Sequence, residues 1–426
     1  MTKAFGFLKS HKMTAEDISI KEVVSSFLSE MEKGLAGEES SLLMLPTYIE
    51  ADGDVEANEP VVAIDAGGTN LRAAKVYFDD NLSLVTENIQ KGKMPGVEQE
   101  LSKKEFFDTL AGFLTDYKNT SEKFGFCFSY PVEIYPSKDG KLLEWSKEVK
   151  APEVIGTMVG EELLKTLNIP NKQIVLMNDT VSTLLAGKAA RAVKTYDTYI
   201  GFILGTGTNT AYIEANKNIT KTDGLDLEGS QVINLESGAF TLAPRTDIDL
   251  AFDNTTKNPG RYAFEKMFSG GYFGGLCTTA LKMAAQEGVF SDASVFENME
   301  ELTTEQVNRY VQGIDDAKSV LPGVFFNESD KLIAAEIIDT LIERSAKLVA
   351  ANLAAVIVKT GKGKSHEKPI LMTIEGTTFY KLHNFRALFE EYLTTLLSGE
   401  NQRYFEIVEV ENSSLLGAAI AAIVNK

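Results

Sequence analysis

The chain has 426 residues, 44% hydrophobic and 24% charged, which suits a globular protein of two or three domains with room for a deep, water-excluding cleft. Its formal net charge of -19 argues against nucleic acid and anionic membrane surfaces, which are bound through basic patches. An anionic ligand must therefore be held locally, by backbone N–H groups, a metal ion and a few placed cations.

Residues 1–12 lack the apolar run of a signal peptide, and no run of about eighteen apolar residues predicts a membrane span. The two cysteines, Cys127 and Cys277, have apolar neighbours and no metal-ligand spacing, so they read as buried thiols. The expectation is a soluble, cytoplasmic protein. In chain order, residues 14–36 read as an amphipathic helix, with Ser19 and Glu22 as a capping box and Val23, Val24, Phe27, Leu28 and Met31 on one face. Residues 51–59 are polar and acidic and read as a loop. The apolar run 61–64 reads as a buried strand that breaks at Gly67-Gly68 and resumes over 71–77, the pattern of a hairpin with a glycine turn. Helical patterns follow around 105–117 and 160–167, and strands at 124–128 and 174–177. A second strand, glycine turn and strand occupy 199–204, Gly205 to Gly207, and 211–214. Two such units suggest an internal duplication. The later half is more helical, with a small-residue-rich stretch over 337–358. Alternating strands and helices in two similar halves predict an α/β protein with mixed sheets in two lobes.

The glycine turns carry the first chemical signal. In Asp65-Ala66-Gly67-Gly68-Thr69-Asn70, glycines allow close backbone approach and positive φ, so successive N–H groups can converge on phosphate oxygens. Thr69 and Asn70 add side-chain donors, and Asp65 can accept from a metal-bound water. Gly205-Thr206-Gly207-Thr208-Asn209 offers the same chemistry. The bland alternative, two plain hairpin turns, loses weight because the turns match. Both lead into strands, which separates them from a dinucleotide-binding glycine fingerprint opening a helix. Gly363-Lys364-Ser365 has the tail of a P-loop, but Val358 stands where its first glycine belongs. Asn178-Asp179-Thr180 follows the strand at 174–177, where ligands of open α/β sheets collect. Asp179 there can accept the proton of an attacking hydroxyl, or it can simply cap the next helix.

These segments, in this order, resemble hexokinases of the eukaryotic type from about residue 20 to the C-terminus. The chain is similar to that family in Ser41-Leu42-Leu43-Met44-Leu45-Pro46-Thr47-Tyr48, in the first glycine turn with Leu71-Arg72, and in Gly125-Phe126-Cys127-Phe128-Ser129-Tyr130-Pro131 followed by Gly140 to Lys147. The likeness continues through Asn178-Asp179-Thr180-Val181, the second glycine turn, Ile233 to Phe240, Glu375-Gly376-Thr377, and Ser414 to Ala419. The resemblance implies the two-lobed, actin-like (ribonuclease-H-like) ATPase fold with duplicated mixed sheets. The small lobe would comprise residues 60–178 plus 415–426, and the large lobe 1–59 plus 179–414. It implies transfer of a phosphoryl group from ATP, with Mg²⁺, to the 6-hydroxyl of a hexose, the first step of glycolysis. Asp179 would be the general base, with Lys147 beside it. Ser129, Ser146, Lys147, Asn178, Asn209 and Glu236 would hold the sugar. Asp65 would orient Mg²⁺ through water; Gly67, Gly68, Thr69, Asn70, Arg72, Thr206, Gly207 and Thr208 would lie near the phosphates, and Gly376, Thr377, Ser414 and Gly417 near adenosine.

Ser146 replaces the family's usual threonine, and Glu375-Gly376-Thr377 replaces Asp-Gly-Ser. Leu415-Leu416 interrupts a glycine-rich run, and Gly275 stands where the resemblance places a sugar-binding glutamate. Gly275 implies weak hexose binding, and it motivates the alternative of a sugar sensor with weak or lost turnover. A filament-forming or chaperone ATPase shares only the fold and has no use for the sugar segments. The preferred hexose, the oligomeric state and any regulation are not legible in the sequence.

Overall fold

The computed structural model describes residues 1–50, 56–145, 149–190, 195–316, 320–325 and 327–425. Up to the middle of the chain its elements are α1 (Lys3–Ser10), α2 (Ile20–Ala36), β1 (Leu45–Pro46), β2 (Val61–Ala66), β3 (Asn70–Phe78), β4 (Leu84–Lys93), α3 (Lys103–Leu114), β5 (Lys123–Phe128), β6 (Val132–Ile134), β7 (Gly140–Leu142), α4 (Val159–Thr166), β8 (Gln173–Met177) and α5 (Asp179–Ala190). The rest comprises β9 (Thr198–Leu204), β10 (Thr208–Ala215), β11 (Ser230–Asn234), α6 (Asp247–Asp253), α7 (Phe273–Gln286), α8 (Thr304–Val311), α9 (Glu328–Thr360), β12 (Ile370–Glu375), α10 (Thr377–Lys381), α11 (Phe385–Leu396), β13 (Phe405–Val408) and α12 (Ser413–Val424).

Two mixed sheets repeat one plan. One runs β4-β3-β2-β5-β8; the other runs β11-β10-β9-β12-β13, with β1 added beyond β11. In each, three strands form an antiparallel meander and two more join in parallel on the far side of the first. The strand order bears out the duplication suggested by the paired glycine turns. All six residues of β2 are buried because both its faces are covered. Val62, Ile64 and Ala66 pack with α3 residues such as Phe106 and Leu110, while Val61 and Ala63 pack with α12 residues such as Ala418 and Ala422.

Helices α5 and α12 lie between the sheets. α5 leaves the first sheet after β8 and packs on β9, whereas α12 leaves the second after β13 and packs on β2 and β5. They cross at a small residue, where a Cβ on Gly417 would stand 1.9 Å from the Ser182 carbonyl oxygen, and α12 meets β5 as closely, where a Cβ on Gly125 would stand 1.8 Å from the carbonyl oxygen of Ala418. Both cysteines are free and buried, as expected. No helix among the described residues is long and apolar enough to cross a membrane.

The N-terminal helix departs from its expected bounds. Thr14 and Asp17 bond reciprocally, with Thr14 Oγ1 to Asp17 Oδ2 at 2.6 Å, and close a separate 3-10 turn over Ala15–Asp17. That local bond competes with the helix, so α2 starts only at Ile20. Ser19 precedes it without a side-chain capping bond, and the Ser19–Glu22 box does not form. The expected loop at 51–59 falls partly outside the described residues.

Candidate active site

Both glycine turns lie at the ends of their sheets' first strands, but none of Gly67, Gly205 and Gly207 takes the positive φ expected. Close approach is what the second turn requires. A Cβ on Gly207 would stand 2.5 Å from Glu265 Oε2. Gly376, at φ +120°, approaches the same turn from β12, where a Cβ would meet the Leu204 carbonyl oxygen at 2.2 Å. Thr378 Oγ1 donates to the Gly205 carbonyl at 2.9 Å. Glu375, just before Gly376, accepts from Thr183 Oγ1 at 3.1 Å and from Ser413 Oγ, tying β12 to α5 and α12.

Five carboxylates, Asp65, Asp179, Glu236, Glu265 and Glu375, gather around the turns. Asp65, 4% exposed, receives Arg72 Nε at 2.9 Å and Arg72 Nη2 at 2.7 Å, both on Oδ2. Burial pushes its carboxyl above the usual range; Arg72 opposes the shift, and the charges of Asp179 and Glu375 add to it. Asp179 opens α5, but the cap is supplied by its neighbour: Asn178 Oδ1 accepts the Thr180 N–H at 2.9 Å. The capping alternative for Asp179 is thereby excluded, and its carboxylate faces the other acids instead. Asn178, expected as a sugar ligand, spends its side-chain oxygen on that cap.

Across from Asp179 stands Glu236, held at φ +59° and ψ +48°. A non-glycine residue in this left-handed region costs roughly 1–2 kcal/mol, and such strain clusters at functional sites. Asn234 Nδ2 donates to Glu236 Oε1 at 2.7 Å, and Asn209 Nδ2 donates to it at 3.3 Å. Burial raises the Glu236 carboxyl against these two donors, and the Asp179 charge raises it further. Glu265 completes the group. Its Oε2 accepts the Thr208 N–H at 2.8 Å, and burial pushes its carboxyl up to about 7, assisted by the charge of Glu236.

Glu265 and Asn234 are the site residues that sequence reasoning missed. Asn234 lies in the segment Ile233 to Phe240 named above, and Glu265 is the one acid between buried Phe264 and Met267. Gly275, by contrast, is not where a sugar ligand would sit. It is buried in α7, where a Cβ would meet Phe252 Cε2 at 2.4 Å and the Glu301 side chain at 2.9 Å. The carboxylate that stands beside Glu236 is Glu265.

Other expectations are redistributed. Thr208 donates its N–H to Glu265 and its hydroxyl to the Ile203 carbonyl, so it organises the turn and has no donor left for a phosphate. Gly417 faces Ser182, as described, and leaves no room for adenosine. Ser414 is buried in the first turn of α12; Thr377 is exposed beside Gly376, and Thr206 is exposed at the second turn. Ser129 lies against the first turn, donating its N–H to Ala66 at 3.1 Å. Gly68, Thr69 and Asn70 continue that turn into β3, where Arg72 also reaches Asn412 Oδ1 at 3.0 Å. Ser146 and Lys147 lie outside the described residues. Trp145, just before them, donates to the Ala151 carbonyl at 2.7 Å and packs edge-on against Tyr130.

Among the described residues no three His, Cys, Asp or Glu side chains are arranged to ligate a metal directly. Mg²⁺ carried by a nucleotide needs no such set, since it keeps its waters and takes phosphate oxygens with one or two carboxylates. Asp65 fits that use: Arg72 occupies Oδ2 only, and the buried carboxyl is under-compensated in charge.

Comparison with known proteins agrees with this geometry. Two family models described as hexokinase match residues 7–189 and 199–424. The chain is 30% identical to Hexokinase-7 of Oryza sativa subsp. japonica, with 94% of this chain and 92% of that one covered. It is 29% identical to Hexokinase-2 of Solanum tuberosum, covering 97% and 89% respectively. A hexokinase from Schistosoma mansoni, solved in complex with glucose, superposes with a TM-score of 0.77 at 24% identity over 98% of this chain and 99% of that one. The fold is accordingly the actin-like ATPase fold.

Proposed function

The chain belongs to the hexokinase family, whose members transfer a phosphoryl group from ATP to the 6-hydroxyl of a hexose, and we propose that it does so on glucose with Asp179 as proton acceptor. The observation that carries this reading is the position of Asp179, freed from capping by Asn178 and set between Asp65 at the first glycine turn and Glu236 opposite. Glu236, Glu265, Asn209 and Ser129, with Ser146 and Lys147, would hold the sugar hydroxyls. The turns at 67–70 and 205–207 would hold the phosphates, and Gly376 and Ser414 would adjoin adenosine. Asp179 takes the proton of the 6-hydroxyl as its oxygen attacks the γ-phosphorus, and ADP departs. Mg²⁺ bound with ATP would sit near Asp65 through water and offset phosphate charge. Residues 60–178 with 415–426 would close as one lobe against the rest. The net charge of -19 and the two buried thiols support a cytoplasmic enzyme acting on small molecules. The sugar-sensor alternative rested on Gly275 and loses its motive with Glu265 in place. A coupled assay of ADP formation over a panel of hexoses tests the proposal. ATP- and hexose-dependent ADP release is expected, and hexose binding without turnover would refute it.

Glu265 gives a pH signature. Its carboxyl sits near 7 in the ligand-free site, and hydroxyl donors favour the ionised form. Hexose binding should therefore release protons, with affinity rising as pH climbs through about 7. Calorimetry in two buffers of different ionisation enthalpy measures this, and proton uptake would reject Glu265 as an acceptor. The same raised value has a stability consequence: the folded chain holds this proton from 4.5, the ordinary value, up to about 7, while the unfolded chain has lost it. The ligand-free fold should lose stability as pH rises through that window.

A further inference from the structure

The two glycine turns are braced from behind in different ways. In a trans peptide the C=O of one residue and the N–H of the next point in opposite directions, so holding a carbonyl on one side aims an N–H to the other. At the second turn the carbonyls of Gly205 and Thr206 are held by the backbone N–H groups of Gly270 and Gly271, each at 2.8 Å. This directs the N–H groups of Thr206 and Gly207 the opposite way. At the first turn the corresponding holder is a side chain. Tyr130 Oη donates to the Gly67 carbonyl at 2.8 Å and reaches the Gly68 carbonyl at 3.3 Å. The Met94 N–H holds the Thr69 carbonyl at 2.9 Å. The N–H groups of Gly68 and Thr69 are thereby aimed away from Tyr130, and neither has an acceptor among the described residues.

We propose that Tyr130 is a positioning residue for ATP, fixing the first glycine turn so that the N–H groups of Gly68 and Thr69 converge on phosphate. The inference rests on the reading of this turn as a phosphate site. Tyr130 suits the task because its ring is immobilised: it is 1% exposed, with Phe128 and Trp145 ring centroids each 4.8 Å away. A hydroxyl on a fixed ring holds a carbonyl at low entropic cost, whereas a turn without a brace samples other peptide orientations. Its position after Ser129 also sets the brace next to an expected sugar contact, one strand away from the turn it holds.

Tyr130→Phe tests this, since it keeps the ring packing and deletes only the hydroxyl. The KM for ATP should rise about three- to tenfold, the range of one net hydrogen bond, while the KM for hexose stays within about twofold. A merely structural role for the hydroxyl would not separate the two substrates in this way. An unchanged KM for ATP, or equal rises for both substrates, overturns the proposal. Thr69→Pro, which removes one of those two N–H groups, measured in parallel, tests the underlying reading. If it raises the KM for ATP and Tyr130→Phe does not, only the role of Tyr130 falls. If neither changes it, the turn is not a phosphate site, and the reading and the proposal fall together.

Discussion

Replacing Asp179 by alanine is expected to lower kcat by about 10²–10⁴-fold, the usual contribution of a positioned proton acceptor. That range corresponds to about 2.7–5.4 kcal/mol of barrier. The expected effect on the fold is much smaller. The cap of α5 is Asn178, which stays in place, so alanine forfeits a carboxylate near a helix N-terminus, worth about 0.3–1 kcal/mol, and its long contact with the Thr180 hydroxyl at 3.3 Å. Binding should separate from chemistry as well. The Asp179 charge raises the carboxyls of both Asp65 and Glu236, so its removal lets them ionise more readily. Hexose affinity should fall by no more than one hydroxyl contact, partly offset by that easier ionisation, and ATP affinity should stay within a few-fold. Steady-state kinetics with calorimetry of each substrate checks this. Asp179→Ala with more than a tenth of the parent kcat would remove Asp179 from the role of base.

The parts of this site that were legible in the sequence are those fixed by local chemistry. Glycines interrupting apolar runs marked both turns, since a strand that must bend sharply carries residues without Cβ, and their repetition exposed the duplicated sheet order. Asp179 was legible because it follows a buried strand directly. What escaped depends on which of several competing contacts forms, whether near in the chain or far. Whether Asp179 or Asn178 caps α5 is a choice between adjacent side chains that composition cannot make. The start of α2 was lost to a three-residue competition between Thr14 and Asp17. The glycines of the second turn were expected to adopt positive φ, but Gly207 carries no side chain because a Cβ there would stand 2.5 Å from Glu265 Oε2, and nothing comparable crowds Gly205. Gly417 was placed near adenosine by the resemblance alone, and a small residue there suits either a ligand or a neighbouring helix. The Ser182 carbonyl decides it.

Glu265 and Gly275 make opposite predictions that a pair of variants can separate. If Gly275 marked a missing sugar ligand, Gly275→Glu would restore affinity. The structure argues against this, because a Cβ there meets Phe252 Cε2 at 2.4 Å and would carry a second carboxylate toward Glu301. Phe252 is 2% exposed and belongs to the large core, so the ring cannot swing into solvent. Overpacking of this kind costs about 1–3 kcal/mol. Gly275→Glu should therefore lower the melting temperature and leave the hexose KM of the folded enzyme within about threefold. Glu265→Ala should instead act on the sugar. It removes a buried carboxyl that is raised to about 7 and relieves the Glu236 charge, which offsets part of the roughly 1–3 kcal/mol lost by leaving the Thr208 N–H without its acceptor. A charge-assisted hydrogen bond to a sugar hydroxyl is worth about 1.5–3 kcal/mol, so the hexose KM should rise about 10–150-fold. Proton release on hexose binding should disappear in the same variant, because the group that titrates near 7 is gone. A Gly275→Glu enzyme with tightened hexose binding, or a Glu265→Ala enzyme with unchanged KM and unchanged proton release, would return the sugar site to α7.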